Sequence, residues 1–150
     1  MHRLTNILMA CVSLGFLGAQ DGDVTKKAIA ELQGEWQAVS INTSGVVIKG
    51  EQAAKVRMVF EGNRMFLPNR KDNIIRIKLD VSASPKGMDF YPEFGPSKGK
   101  KISGIYKLES GLLTICSYRG DVIDQPRPKN FKPKVGEKLA VTVLKRVTEK

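Results

Sequence analysis

After Glu35 the chain consists of short segments in which apolar and polar side chains alternate, separated by residues that favour turns. About eight such segments follow one another at a spacing of roughly 10 residues, with no helical pattern between them. Because a strand presents successive side chains to opposite faces, each segment can bury one face and expose the other. The pattern therefore predicts an all-β fold, an antiparallel meander closed into a barrel.

A short helix is predicted before the strands. The stretch 25–32 places Ile29 and Leu32 on one face, and Asp23 or Thr25 can cap its start. Such a helix would cover one end of the barrel.

Residues 1–19 have the layout of a secretory signal peptide. A basic head is followed by an apolar middle that is shorter than the roughly 20 residues needed to span a bilayer, and small residues precede a polar stretch. Cleavage is predicted after Ala19, which leaves one domain, residues 20–150, in the periplasm or outside the cell. Acylation of Cys11 as a lipoprotein anchor is the alternative.

Removal of this leader takes away His2, the only histidine of the chain. Without histidine there is no Ser/His/Asp or Cys/His nucleophile and no histidine zinc site, and the sequence contains no P-loop or Rossmann fingerprint. We therefore expect no enzyme activity, no cofactor and no metal. Cys116 is then the only cysteine, so the domain has no internal disulfide, and its apolar neighbours predict a buried, unreactive thiol.

The chain is basic, with 25 Lys and Arg against 15 Asp and Glu and a formal net charge of +10. Such a charge favours anionic surfaces such as envelope polymers or lipid head groups, and it also simply promotes solubility. We expect no specific nucleic-acid recognition. The one local cluster, Lys98, Lys100 and Lys101 around the flexible Gly99, is a candidate anion-binding loop.

The segment 32–36, with the sequence Leu-Gln-Gly-Glu-Trp, resembles the Gly-x-Trp start of lipocalin-like barrels. More of the chain is similar to a planctomycete-type family of small exported domains whose activity is uncharacterised. The matching pieces are residues 32–36, 95–100, 104–108, 113–116, 127–131 and 144–146. This resemblance implies an eight-stranded antiparallel lipocalin-like barrel with a short N-terminal helix, and it implies no particular activity.

In lipocalins the tryptophan of this motif packs at the closed barrel end beneath an arginine of the last strand. The resemblance therefore assigns Gly34, Trp36 and Arg146 to barrel closure. A guanidinium over an indole contributes about 0.5 to 2 kcal/mol and would hold the first strand to the last.

The inward-facing apolar side chains are the candidate lining of a ligand cavity. They are Met58, Phe60, Met65, Leu67, Ile75, Ile77, Leu79, Met88, Phe90, Tyr106 and Tyr118. Two hypotheses follow, because a barrel of this size either fills its interior or holds one small ligand. The first is a binding module for a small apolar or amphipathic molecule, with tyrosine hydroxyls orienting it. The second is a filled barrel whose basic surface docks on envelope polymers or another protein.

A long Pro-rich connection, residues 120–136, precedes the last strand. Its three prolines prevent ladder pairing. We expect Phe131 to pin this connection over the barrel and Arg127 to satisfy backbone carbonyls. The sequence leaves the ligand and the oligomeric state open.

Overall fold

The computed structural model describes residues 18–148, with side chains described from residue 21. Cys11 and almost all of the predicted leader, residues 1–19, lie outside the described part. The described elements are α1 (Gly18–Leu32), β1 (Gly34–Thr43), β2 (Val46–Lys49), α2 (Gly50–Ala54), β3 (Arg57–Glu61), β4 (Arg64–Leu67), β5 (Arg70–Asp80), β6 (Gly87–Pro92), β7 (Gly104–Glu109), β8 (Leu112–Tyr118) and β9 (Leu139–Arg146).

The strands form one antiparallel sheet that closes on itself. Its order is β2-β1-β3-β4-β5-β6-β7-β8-β9, and a further pairing joins β1 to β9. In that closing ladder Trp36 lies opposite Arg146 and Ile41 opposite Thr142, with a bulge between them. Eight strands thus make a closed barrel, and β2 is an extra strand that pairs only with β1. The predicted all-β antiparallel barrel is confirmed.

The antiparallel order gives the barrel two different ends. The closed end carries α1 and the short β3–β4 and β7–β8 turns, and it contains the start of β1 and the end of β9. The open end carries the β1–β2 turn, the β6–β7 loop (residues 93–103) and the β8–β9 connection (residues 119–138). The longest irregular segments between strands therefore meet at the open end.

Two groups of buried side chains lie on the two sides of the barrel wall. The larger group lies in the interior and includes Trp36, Phe60, Met88 and Leu144. The smaller group lies on the outer face of β7, β8 and β9, where the β8–β9 connection covers it, and consists of Ile105, Cys116, Leu139 and Val141. Phe131 of the connection packs against this outer group.

Helix α1 spans Gly18–Leu32 and therefore includes residues before the predicted 25–32. The prediction that Asp23 or Thr25 caps the helix start is wrong, because both residues lie inside the helix, where the Thr25 hydroxyl donates to the Asp21 carbonyl at 2.9 Å. Leu32 is fully buried, so the apolar face does cover the closed end as expected. Gln33 fixes the helix end by donating to the Gly62 carbonyl and accepting from the Gly62 N–H.

Candidate functional site

The closed half of the interior is packed solid around Trp36. The indole is 1 % exposed, and its Nε1–H donates to the Leu32 carbonyl at 2.8 Å. Phe60, Leu113 and Leu144 are likewise fully buried around it. A buried indole whose one donor is satisfied has no capacity left for a ligand, so this half of the barrel serves stability.

Arg146 covers the indole from the last strand. Its guanidinium carbon lies 4.3 Å from the ring centroid, which is the contact that the resemblance implied. The same guanidinium donates to the carbonyls of Gln33 and Glu31. Gly34 has a φ of +107°, a conformation that L side chains rarely adopt, and a Cβ there would lie 3.2 Å from Arg146. The motif therefore joins helix, first strand and last strand at one point.

The other half of the interior holds a cavity of about 190 Å³. Its walls come from β3, β4, β5, β6, β8 and β9 and from the residues just outside β7 and β8. The lining residues are Met58, Met65, Ile75, Phe90, Ile102, Ile115, Ser117, Tyr118, Gly120 and Thr142. The cavity thus has mostly apolar walls, while Ser117, Tyr118 and Gly120, at or just after the end of β8, occupy the side nearest the open end.

The structure divides the predicted lining residues between three places. Met58, Met65, Ile75, Phe90 and Tyr118 come together around the cavity. Leu67 lies apart, in a surface cleft with Pro68 and Lys55. The remaining five are part of the interior core and do not line the cavity: Phe60, Ile77, Leu79, Met88 and Tyr106.

Five lining residues of the cavity are absent from the sequence prediction: Ile102, Ile115, Ser117, Gly120 and Thr142. Ile115 and Thr142 lie opposite each other on β8 and β9. The alternating pattern of β8 identifies Ile115 and Ser117 as one face, and this signal would have found them. Ile102 lies before β7 and forms an isolated bridge with Phe90, which no local pattern indicates.

Tyr106 and Cys116 are buried on opposite sides of the barrel wall. Burial, and next the charge of Glu31, raises the pKa of the Tyr106 hydroxyl, which finds no hydrogen-bond partner among residues 18–148. Burial, and next the charge of Glu137, raises the pKa of the Cys116 thiol to about 11. A thiol with this pKa stays protonated at neutral pH, so Cys116 has the inert environment that the sequence predicted.

Arg127 does not bind backbone carbonyls, and that prediction is wrong. Its two terminal nitrogens donate to separate carboxylates, to Asp80 at 3.0 Å and to Asp89 at 2.8 Å. The guanidinium lies flat on Gly87, where an added Cβ would overlap it. This clasp holds the β8–β9 connection against the outer face of β5 and β6. The ion pairs compensate for the burial of Asp89, whose side chain is 11 % exposed.

The candidate anion-binding loop lies on the surface at the open end. Lys98, Lys100 and Lys101 are all exposed and do not line the cavity. The loop is tied to the β8–β9 connection, because Ser97 donates to the Gly120 carbonyl at 2.6 Å and the Asp124 N–H donates to the Lys101 carbonyl at 2.9 Å. The lysines are therefore carried by a fixed segment beside the cavity mouth.

Among residues 18–148 there is no group of three or more His, Cys, Asp or Glu side chains able to hold a metal ion. Neither helix in that part of the chain has the length and apolar character needed to cross a membrane.

No family model, no curated protein and no solved structure matches the chain, so the resemblance to exported lipocalin-like domains stays a prediction.

Proposed function

We propose that this barrel is a binding module that takes the apolar end of a small apolar or amphipathic molecule into its open half. The observation that carries the proposal is the contrast inside the barrel, where the half around Trp36 is filled and the other half contains a cavity of about 190 Å³. Side chains that fill one half to native density could have filled the other as well. The space is therefore best explained as room for a ligand.

The size of the cavity sets the size of the group that enters it. An engineered apolar cavity of about 150 Å³ holds one benzene molecule, whereas pockets for drug-sized ligands measure about 300 Å³ or more. A cavity of about 190 Å³ suits one small ring or a short alkyl segment. Any larger or charged part of the ligand would remain at the mouth, beside Ser117 and Tyr118.

The chemistry of the walls favours the same ligand class. Met58 and Met65 have flexible, polarizable side chains that adapt to apolar guests of different shape. The ionisable side chain that lines the cavity is the Tyr118 phenol, so a ligand would be held by apolar contact and hydroxyl hydrogen bonds. This composition supports carriage over catalysis, and the leader-like residues 1–19 support carriage outside the cytoplasm.

Native mass spectrometry of the protein purified from its own host tests this proposal. We expect a reproducible adduct that denaturation releases. Thr142→Phe places a phenyl ring in the cavity and should abolish the adduct. Val143→Phe makes the matched change on the opposite face of β9 and should keep it. A bare wild-type mass, or an adduct that survives Thr142→Phe, would contradict the proposal.

Basic docking on an envelope polymer is the second candidate function. The exposed loop lysines, Lys98, Lys100 and Lys101, favour it. The two functions respond differently to salt, because attraction between exposed charges is screened over about 10 Å at 0.1 M ionic strength. Polymer docking should weaken steeply as salt rises, while an adduct in the cavity should persist.

A further inference from the structure

The β1–β2 hairpin projects from the open end with apolar side chains on both of its faces. All four residues of β2 are exposed, and Val46 and Val47, which point to opposite faces, are 67 % and 50 % exposed. Ile48 is exposed as well. A strand that packs on a core buries one of its two faces, so an apolar strand exposed on both requires another explanation.

A second segment extends the apolar surface. Val135, in the β8–β9 connection, is 86 % exposed. It lies directly against the hairpin turn, since a Cβ added at Gly45 would be 3.0 Å from its Cγ2. The Ser44 hydroxyl donates to the Glu137 carbonyl at 2.7 Å and fixes the two segments together. We call the four side chains Val46, Val47, Ile48 and Val135 the apolar ridge.

Lysines flank the apolar ridge. Lys49 follows it on β2, and the part of the connection that carries Val135 contains exposed lysines at positions 129, 132, 134 and 138. The one carboxylate between residues 129 and 138 is Glu137, and it accepts a hydrogen bond from the Lys134 N–H at 2.7 Å. Lys49 and Lys134, the sequence neighbours of Ile48 and Val135, therefore place positive charge beside both segments of the ridge.

We propose that the apolar ridge and its lysines form a docking surface for an anionic phospholipid bilayer. A thin ribbon that is apolar on both faces can enter the boundary between head groups and acyl chains, where both faces gain contact at once. Lysines beside such a ribbon meet anionic head groups, and each contributes to binding. This inference is independent of the ligand proposed for the cavity.

Three other occupants fit the surface less well. A second copy of the chain packed by two-fold symmetry on this surface would bring the lysines of both copies together, and like charges repel. A flat protein partner would also cover one face of β2 and leave the other in water. An anionic polymer would engage the lysines but would gain nothing from the valines.

Flotation with vesicles tests the docking surface. The full chain should bind phosphatidylcholine vesicles that contain phosphatidylglycerol more tightly than vesicles of phosphatidylcholine alone. Val47→Ser should weaken binding about tenfold, because a buried valine contributes more than one factor of ten at full burial. Lys134→Gln should weaken it about fivefold. Residues 1–17 are common to all variants, so their contribution does not enter these ratios.

Matched changes at the closed end serve as controls. Leu112 is exposed beside the β7–β8 turn, and Lys26 is exposed on α1. The variants Leu112→Ser and Lys26→Gln should therefore leave vesicle binding unchanged.

A tryptophan introduced into the ridge reports how deeply the ridge enters the bilayer. Val47→Trp should show blue-shifted emission on anionic vesicles and quenching by lipids brominated in the acyl chain, whereas Leu112→Trp should show neither.

Three results would overturn the proposal. The first is equal vesicle binding by wild type and Val47→Ser, since the ridge would then contribute nothing. The second is sensitivity to Lys134→Gln without any effect of Val47→Ser, which would indicate an anionic polymer as the partner. The third is a dimer in sedimentation analysis that Val47→Ser dissociates, without a vesicle effect, which would assign the ridge to a second copy. Unfolding curves check that each variant is folded.

Discussion

The two halves of the barrel interior are built from the same strands, yet side chains fill them to different extents. Around Trp36 the large side chains of Phe60, Leu113 and Leu144 leave at most 2 % of their surface exposed. Around Met58 and Met65 a cavity of about 190 Å³ remains. The difference lies in what covers each end, since α1 seals the closed half and loops surround the open half.

This contrast separates two roles within one fold. In the filled half, removing a side chain leaves a void that the structure cannot close, while adding one has no space to enter. In the open half, space already exists, so removal costs less and addition is tolerated. The closed half therefore stabilises strands whose opposite ends surround the cavity and carry the β1–β2 hairpin.

The largest expected effect is at the centre of the filled half. Trp36→Ala should lower the free energy of unfolding by about 3 to 5 kcal/mol, because it leaves a large void and removes the partner of Arg146. Urea denaturation followed by circular dichroism measures it. Met58→Ala, at the position opposite Trp36 on β3, is the control, and it lines the cavity. It should cost less than about 2 kcal/mol.

An equal or larger cost for Met58→Ala would contradict the division into two halves. It would mean that the cavity side of the barrel stabilises the fold as much as the packed side does.

The next effect concerns how the β8–β9 connection is attached to the barrel. Arg127→Met should lower stability by about 2 kcal/mol, because it leaves the largely buried Asp89 carboxylate without a counterion. Hydrogen exchange should become faster across residues 119–138. Arg119→Met is the matched control. It removes an exposed pair with Asp121 and should cost less than about 0.5 kcal/mol.

Acid should reduce this difference between wild type and Arg127→Met. The hydrogen bond from Ser82 and then the one from Arg127 lower the pKa of Asp80 below its ordinary value of 3.8. A carboxylate with a lowered folded-state pKa stabilises the fold above its unfolded pKa, and this contribution is lost as the pH falls through the folded value. The stability gap should thus be constant near neutral pH and narrow below 3.8. A gap unaffected by acid would exclude Asp80 from the clasp.

The sequence was sufficient for the features that depend on local pattern. Alternation along the chain predicted the antiparallel barrel, and the Gly-x-Trp resemblance placed Arg146 over Trp36. Both depend on side-chain direction along one strand or on one short motif.

Features that depend on residues distant in the chain could not be predicted from the sequence pattern. Met65 and Met88 occupy equivalent inward positions in alternating segments, yet Met88 is fully buried and Met65 borders the cavity. The difference depends on the side chains that lie across the barrel from each methionine. Those side chains come from distant strands, so the local alternating pattern does not predict them. Arg127 likewise binds carboxylates 47 and 38 positions away.

The last comparison adds volume to each half of the barrel, and the smallest expected effect is the one at the cavity. Ala38 is 1 % exposed and faces Leu144 in the filled half, so Ala38→Leu should cost about 1 to 3 kcal/mol through overpacking. Thr142 faces the cavity, so Thr142→Leu should change stability by less than about 1 kcal/mol in either direction. Thermal unfolding measures both. If Thr142→Leu lowered the stability as much as Ala38→Leu, the cavity could not accept even a leucine side chain. It would then be too small for a ligand. Tolerance of Thr142→Leu together with loss of the mass-spectrometric adduct would instead identify the space as one that a guest normally occupies.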